Sequence, residues 1–116
     1  IKNLKKESKV YPEKLRKKKI EENIFEANLS LMMAKNNIYN DDFYYLLGHY
    51  FRVVSCLNEI IFALNKEYLL NEKRAVKMVE SFDKKPSDYK ARVDQVFDLA
   101  SKILRFSTPA IGNWRV

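Results

Sequence analysis

The stretch from Phe43 to Tyr68 constrains the fold of this chain more than any other part of the sequence. It contains no proline, and its residues are apolar nearly all round a helical wheel. The exceptions form one stripe, made of Gly48, Arg52, Ser55 and Glu59, with Asn58 beside it. A helix of this kind is stable in water only when other elements cover most of its surface. The stretch therefore predicts a central, buried helix.

For two residues of that stripe, the sequence predicts that another group lies close by. A buried guanidinium is costly unless an anion pairs with it, so Arg52 is predicted to meet a carboxylate or a phosphate. Gly48 weakens a helix interior by about 1 kcal/mol relative to Ala. We therefore expect another backbone or a ligand to pass close to Gly48.

The rest of the sequence predicts helices as well. The chain has 116 residues, is 47% hydrophobic and contains 2 Gly and 3 Pro, which suits one domain of long helices around a core. Breaks of a few residues separate helical patterns and predict an all-α, antiparallel up-and-down bundle of about four helices. The predicted starts are Tyr11-Pro12-Glu13, then Asn40 or Asp41, then Asn71 with Glu72 in a short third helix, then Ser87 or Asp88 after Pro86. The predicted divisions are a tether at 1–10, the bundle at 11–106 and an irregular tail at 107–116.

Charge and composition narrow the function. Residues 1–19 hold nine Lys or Arg and two Glu, which equals the whole net charge of +7, while the remaining 97 residues balance 13 basic against 13 acidic groups. Tyr11 is the only aromatic residue within this basic arm, which argues against nucleic acid as the main partner. Cys56 has no second cysteine to pair with, and with the lone His49 it cannot form a zinc site. We expect a reduced, cytoplasmic setting without a membrane span, and a structural role for His49.

A second group of polar residues gathers where the apolar helix ends, in FALNKEYLLNEK. Local geometry accounts for some of them, because an Asn can cap a helix and a Glu in its first turn suits the helix dipole. It does not account for Arg52 and Lys73, which together could hold an anionic group beside the ring or hydroxyl of Tyr68. The candidate residues for binding a substrate or partner are Arg52, Asn65, Tyr68, Asn71, Glu72 and Lys73.

The same region resembles a known family. The matching residues are Gly48, Phe51-Arg52, Cys56-Leu57-Asn58, Phe62 to Asn65, Tyr68, Asn71 to Lys73 and Lys85-Pro86. In this order they resemble the helical C-terminal domain of bacterial nucleotidyltransferase-like proteins of the polymerase-beta superfamily. The resemblance extends over roughly residues 11–106.

The resemblance implies that this chain is joined to a catalytic domain that lies before it in the same polypeptide. In that family an N-terminal catalytic domain carries a Gly-Ser turn and an Asp-x-Asp pair that holds Mg²⁺, and neither motif occurs in this sequence. This chain alone is therefore not expected to be an enzyme. Because it starts at Ile1 rather than Met, we expect a piece of a longer protein. The resemblance implies that the helical domain packs on the catalytic one and helps bind the nucleotide or acceptor, with Mg²⁺ and a nucleoside triphosphate used by the full-length protein.

Other functions stay open. The bundle is also similar in architecture to HEPN domains, which favours a free-standing helical partner or regulatory subunit that binds an enzyme in trans. A homodimer fits either interpretation. HEPN ribonucleases place an Arg before a His, whereas here His49 precedes Arg52, so ribonuclease activity is not supported. A helical domain that binds nucleic acid through the basic arm is the weaker alternative, and it predicts an affinity that falls steeply with salt.

Overall fold

The chain folds into a small all-helical bundle. The computed structural model describes residues 10–39 and 42–107, and in these ranges it contains four helices and no strand. The helices are α1 (Glu13–Asn36), α2 (Phe43–Leu64), α3 (Ala75–Val79) and α4 (Tyr89–Ser107). The all-α bundle predicted from the periodicity is thus confirmed. The predicted tether and tail fall outside the described residues, except Val10 and Ser107.

Helices α1 and α2 form an antiparallel hairpin that provides most of the helix packing. Three side-chain pairs mark its direction, because their numbers rise on α1 as they fall on α2. These pairs are Lys19 with Glu59, Glu26 with Arg52, and Met33 with Tyr45. Small or polar residues, Ser30 and Ala34, are buried on α1 where it faces α2, so the two backbones can approach closely.

Helix α4 packs on the other side of α2. The Tyr89 hydroxyl donates to the Asn58 side chain at 2.7 Å, while Val96 lies beside Tyr50 in an apolar groove, so α4 runs antiparallel to α2. Within the described ranges α4 does not pack on α1. The core lies where α2, α3 and the start of α4 meet, and it consists of Ile61, Phe62, Ala75, Val79 and Tyr89.

Helix α2 ends at Leu64 and not near Tyr68 as predicted. The Lys66 amide donates to the Ala63 carbonyl at 3.0 Å, and the Glu67 amide donates to the Phe62 carbonyl at 2.9 Å. These two bonds form a Schellman motif, in which the residue after the C-cap adopts the left-handed conformation. Lys66 has a φ of 55° at that position, which is usually occupied by Gly. Because no glycine marks this helix end, the predicted end of α2 lies four residues too far along the chain.

Two further predictions about helix starts are wrong. Asp42 precedes α2 and accepts from the Tyr45 amide at 3.3 Å, whereas the predicted caps Asn40 and Asp41 lie outside the described residues. Asn71 does not cap α3, because this helix begins only at Ala75, after Arg74 in the left-handed conformation. Glu72 therefore precedes α3 and does not lie in its first turn.

The predicted burial of α2 is correct only for part of its surface. Tyr44 and Phe51 are 88% and 59% exposed, and Arg52 also lies at the surface. No described atom outside its own helix backbone comes within 4 Å of the position a Cβ would take on Gly48. The close approach of another backbone predicted at Gly48 is thus wrong for the described residues, because no other described element covers this face of α2, whereas a ligand there stays a prediction.

We expect the core to dominate stability. Phe62 is 1% exposed and its ring meets Phe82 edge-on at a centroid distance of 4.9 Å. Phe62→Ala is expected to lower the free energy of unfolding by about 3–5 kcal/mol, because it leaves a cavity in this cluster. The exposed Phe51→Ala is the matched control and should cost less than about 1 kcal/mol. Urea denaturation measures both, and equal losses would contradict this assignment of the core.

Candidate functional site

The candidate residues, apart from Arg52, lie in or beside the chain reversal between α2 and α3, which we call the junction (residues 65–74). Backbone bonds within a turn cannot satisfy every polar group there, so side chains complete them. The Asn71 side chain does this locally, because its oxygen accepts from the Lys73 amide at 2.9 Å. This turn fixes the backbone at Lys73 immediately before α3.

Asn65 joins the junction to the segment that precedes α4. Its side-chain amide donates to the Ile61 carbonyl at 2.8 Å and to the Lys84 carbonyl at 2.7 Å. Its oxygen accepts from the Lys84 amide at 3.0 Å. All the main hydrogen-bonding groups of this side chain are thus used in holding two segments of backbone together.

Glu72 is the centre of a polar network that joins three parts of the fold. The Ser55 hydroxyl donates to one carboxylate oxygen at 2.7 Å, and the Asn58 amide donates to the other at 3.2 Å. The Asn58 oxygen in turn accepts from the Tyr89 hydroxyl at 2.7 Å. Asn58 is only 1% exposed, so these bonds replace the water that its amide loses on folding. We call these four residues the Glu72 network.

The network changes the acidity of its phenol. Burial, and then the negative charge of Glu72, raise the pKa of Tyr89 from 10.0 to about 12. The neutral phenol is therefore the form that donates to Asn58 throughout the neutral range. Tyr89 acts in this position as a fixed hydrogen-bond donor and not as a general base.

Tyr68 holds the chain segment that leads into α1. Its hydroxyl donates to the Val10 carbonyl at 3.3 Å, and its ring lies 4.7 Å from that of Tyr11 between centroids. Tyr11 is 8% exposed. Burial, followed by the charges of Glu59 and Tyr68, raises the pKa of Tyr11. The beginning of the described chain is thus held against the junction.

Arg52 forms an ion pair with an acidic residue of the same chain. Its guanidinium pairs with the Glu26 carboxylate of α1, and the two side chains are 55% and 38% exposed. The predicted pairing is therefore present, whereas the predicted burial of Arg52 is not. Nearby, burial raises the pKa of the Cys56 thiol despite the opposing charge of Arg52, so this cysteine is not activated as a nucleophile.

Lys66, Lys73 and Arg74 are the cations of the junction. All three are exposed, and none forms an ion pair in the described part of the chain. Lys73 and Arg74 are adjacent in sequence. The neighbouring acid Glu72 is directed into its network instead. Two adjacent cations on a fixed backbone can bind an anionic group such as a phosphate.

The structure separates the predicted residues into groups with different roles. Asn65, Tyr68, Asn71 and Glu72 each bond to a nearby part of the chain, Arg52 pairs with Glu26, and Lys73 faces solvent. Sequence reasoning missed the role of Tyr89, for which no local signal exists, because its partner lies 31 residues away. Ser55 and Asn58 did stand out as polar exceptions on an apolar helix.

No catalytic metal centre is assembled in the described ranges. No group of three or more His, Cys, Asp or Glu among these residues could hold a metal ion. None of the helices described is both long enough and apolar enough to cross a bilayer. His49 packs edge-on against Tyr45 at a centroid distance of 4.4 Å.

Comparison of the chain with protein-family models, curated proteins and solved structures gave no significant match. The family resemblance thus rests on the residues quoted above. The geometry of the junction adds a separate kind of observation, because it distinguishes residues that hold the fold from those that are free to bind.

The raised pKa of Tyr89 predicts a loss of stability in alkali. The unfolded chain gives up this proton near pH 10.0 and the folded chain near pH 12. Stability from this group is complete below pH 10 and falls as pH rises to 12, by roughly 2–3 kcal/mol. Tyr89→Phe should lower stability at neutral pH, because Asn58 loses a donor, yet it should weaken the alkaline loss. Urea unfolding between pH 8 and 12 measures this difference.

Tyr44→Phe is the control for that titration, because Tyr44 is 88% exposed. It should leave both the neutral stability and the alkaline slope unchanged. An alkaline loss as steep in Tyr89→Phe as in the parent chain would contradict the assignment.

Proposed function

We propose that this chain is the helical, substrate-binding domain of a nucleotidyltransferase, and that it packs on a polymerase-beta-type catalytic domain of the same protein. The proposal starts from the resemblance over residues 11–106. A single observation from the fold carries it further. Glu72 is engaged inside its network, so the exposed cations Lys73 and Arg74 beside it present a net positive site.

The position of the chain's beginning supports the same arrangement. Tyr68 holds Val10 and Tyr11 at the junction, so a domain joined through residues 1–9 would start from the end of the bundle that carries Lys73. A site near a domain boundary is a common place for small-molecule ligands. The cations would then face a nucleotide or an acceptor shared between the two domains.

The residues present indicate which part of the ligand each domain would bind. Mg²⁺ and the nucleoside triphosphate would be held mainly by the catalytic domain, which supplies the metal ligands that the described part of this chain lacks. Lys73 and Arg74 would neutralise phosphate or acceptor charge from the opposite side. The Glu72 network would hold the backbone of Lys73 and Arg74 in place, while the Glu72 carboxylate stays bonded to Ser55 and Asn58.

The binding role can be tested in the full-length protein. Lys73→Ala and Arg74→Ala are each expected to weaken the binding of a nucleoside triphosphate with Mg²⁺, or of the acceptor, by roughly tenfold, since a charge-assisted contact is lost. Isothermal titration calorimetry measures the affinity, and thermal unfolding confirms that the fold is intact. Lys77→Ala is the matched control, because it removes another exposed cation, from α3.

Unchanged affinities in both variants would contradict a binding role for the junction. The catalytic partner is tested separately by the mass of the native polypeptide in its source cells. A polypeptide of roughly twice the 13.8 kDa of this chain or more is expected. A native mass equal to that of this chain would exclude catalysis in cis and favour a helical subunit that acts in trans.

A further inference from the structure

Helix α1 carries a second surface rich in apolar side chains that the bundle does not use. It follows a seven-residue repeat in which three columns of residues share one face of the helix. All seven positions are exposed. We call them the α1 stripe: Glu21, Asn28 and Lys35 in the central column, Ile24 and Leu31 on one side, and Phe25 and Met32 on the other.

The exposure of the apolar side chains is large. Phe25 is 67% exposed and Met32 is 54% exposed, while Ile24 and Leu31 are 47% and 40% exposed. The opposite face of α1, with Ser30 and Ala34, is already buried against α2. A helix that carries apolar side chains on two opposite faces is most stable in water when it is covered on both sides.

The stripe has the pattern of a helix–helix seam. A hydrophobic repeat of seven residues keeps one face of a helix turned to a partner over several turns. An apolar surface of this extent on a small domain commonly marks a protein interaction site. The two apolar columns would therefore flank a contact with another helix.

The central column identifies the partner. Glu21 and Lys35 lie seven residues before and seven residues after Asn28. Neither forms an ion pair within the described ranges. A partner helix that runs antiparallel should therefore offer a cation opposite Glu21, an anion opposite Lys35 and a polar group opposite Asn28.

A second copy of α1 has this arrangement. We propose that the chain forms a two-fold symmetric homodimer in which two α1 stripes pair antiparallel, with the two Asn28 residues opposite each other. Glu21 then faces Lys35 of the second copy, and the reverse pair is formed by symmetry. Ile24 faces Leu31 of the second copy, and Phe25 faces Met32, because each side column meets the same column across the two-fold axis.

Asn28 suits a position on the two-fold axis. A side-chain amide contains both donors and an acceptor, so two copies of the same amide can bond to each other. A single Asn in a helix seam also helps to select the register of two helices, because a register shifted by one repeat would lose the amide pair and set Asn28 against Glu21 or Lys35. The pairing of Asn28 with Asn28 is the register that the two ion pairs require.

The parallel arrangement is disfavoured by the charges. It would also bring the two Asn28 residues together, but it would set Glu21 against Glu21 and Lys35 against Lys35, and like charges on facing helices repel. In the antiparallel dimer each α1 is covered by α2 on one side and by the second α1 on the other. The arrangement does not depend on the nucleotidyltransferase proposal.

The surface beside the stripe also suits a dimer. Leu31 forms one wall of an apolar groove of about 550 Å³ over α2, and α4 forms the other wall with Val93 and Val96. Ile38 borders a second apolar depression with Val96 and Leu99. The side of α1 that would meet a second copy is therefore continuous with two apolar grooves.

Sedimentation equilibrium of the 116-residue chain over micromolar concentrations tests the proposal. The chain is expected to be a concentration-dependent dimer. Glu21→Lys should weaken the dimer by about tenfold or more, because two ion pairs become two repulsions. The double variant Glu21→Lys/Lys35→Glu should restore the affinity to within about threefold of the parent, because the pairs re-form with their signs exchanged.

Glu67→Lys is the matched control, since it changes the net charge equally at an exposed position outside the stripe. It should leave the dimer unchanged. Asn28→Asp, which keeps the shape of the side chain, should weaken the dimer by about tenfold or more, because two carboxylates would meet on the axis. Far-UV circular dichroism would show that this variant stays helical.

Three results would each overturn the proposal. The first is a parent chain that stays monomeric over the whole concentration range. The second is an equal effect of Glu21→Lys and Glu67→Lys on the dimer. The third is a dimer of unchanged affinity in Asn28→Asp.

Discussion

The hydrogen bonds of the buried Asn58 amide are the constraint on which the geometry of this bundle depends. Its nitrogen donates to Glu72 and its oxygen accepts from Tyr89, so one side chain of α2 binds both the junction and the start of α4. An unsatisfied buried amide would cost about 1–3 kcal/mol. Helix α4 also packs on α3 and has no contact with α1 in the described ranges, so the amide and the core around Tyr89 together place the start of α4.

The same network gives the junction its electrostatic character. The Glu72 carboxylate accepts from Ser55 and Asn58 and forms no ion pair with Lys73, its neighbour in sequence. Asn65 and Tyr68 hold the adjoining backbone to Lys84 and Val10. The junction is thus a fixed framework that exposes cations, which is the feature that a phosphate-binding role requires.

The sequence predicted the helices and their order because helical periodicity and chain breakers are local signals. The end of α2 was missed because Lys66, and not a glycine, takes the left-handed conformation there. The exposure of Gly48 and Arg52 was missed for a different reason. An apolar helix shows that it needs cover, but it does not show which of its faces the rest of the chain will leave bare.

The candidate site was predictable only as a set of residues. Their positions in sequence indicated where polar groups accumulate, but the partners of Glu72 and Asn65 come from other elements, and the network extends to Tyr89. Such pairs depend on how helices rotate and pack against one another, which a single sequence does not determine. The binding role of Lys73 stays a prediction, as does the nucleotidyltransferase assignment.

The central claim is that Glu72 and Tyr89 act on one shared amide, and a double-mutant cycle tests it most directly. The free energies of unfolding in urea at pH 7 would be measured for the parent chain, Glu72→Ala, Tyr89→Phe and the double variant. We expect a coupling free energy of about 0.5–1.5 kcal/mol between the two sites, because both bond to Asn58. Effects that add to within about 0.3 kcal/mol would show that the two residues act independently and would contradict this account.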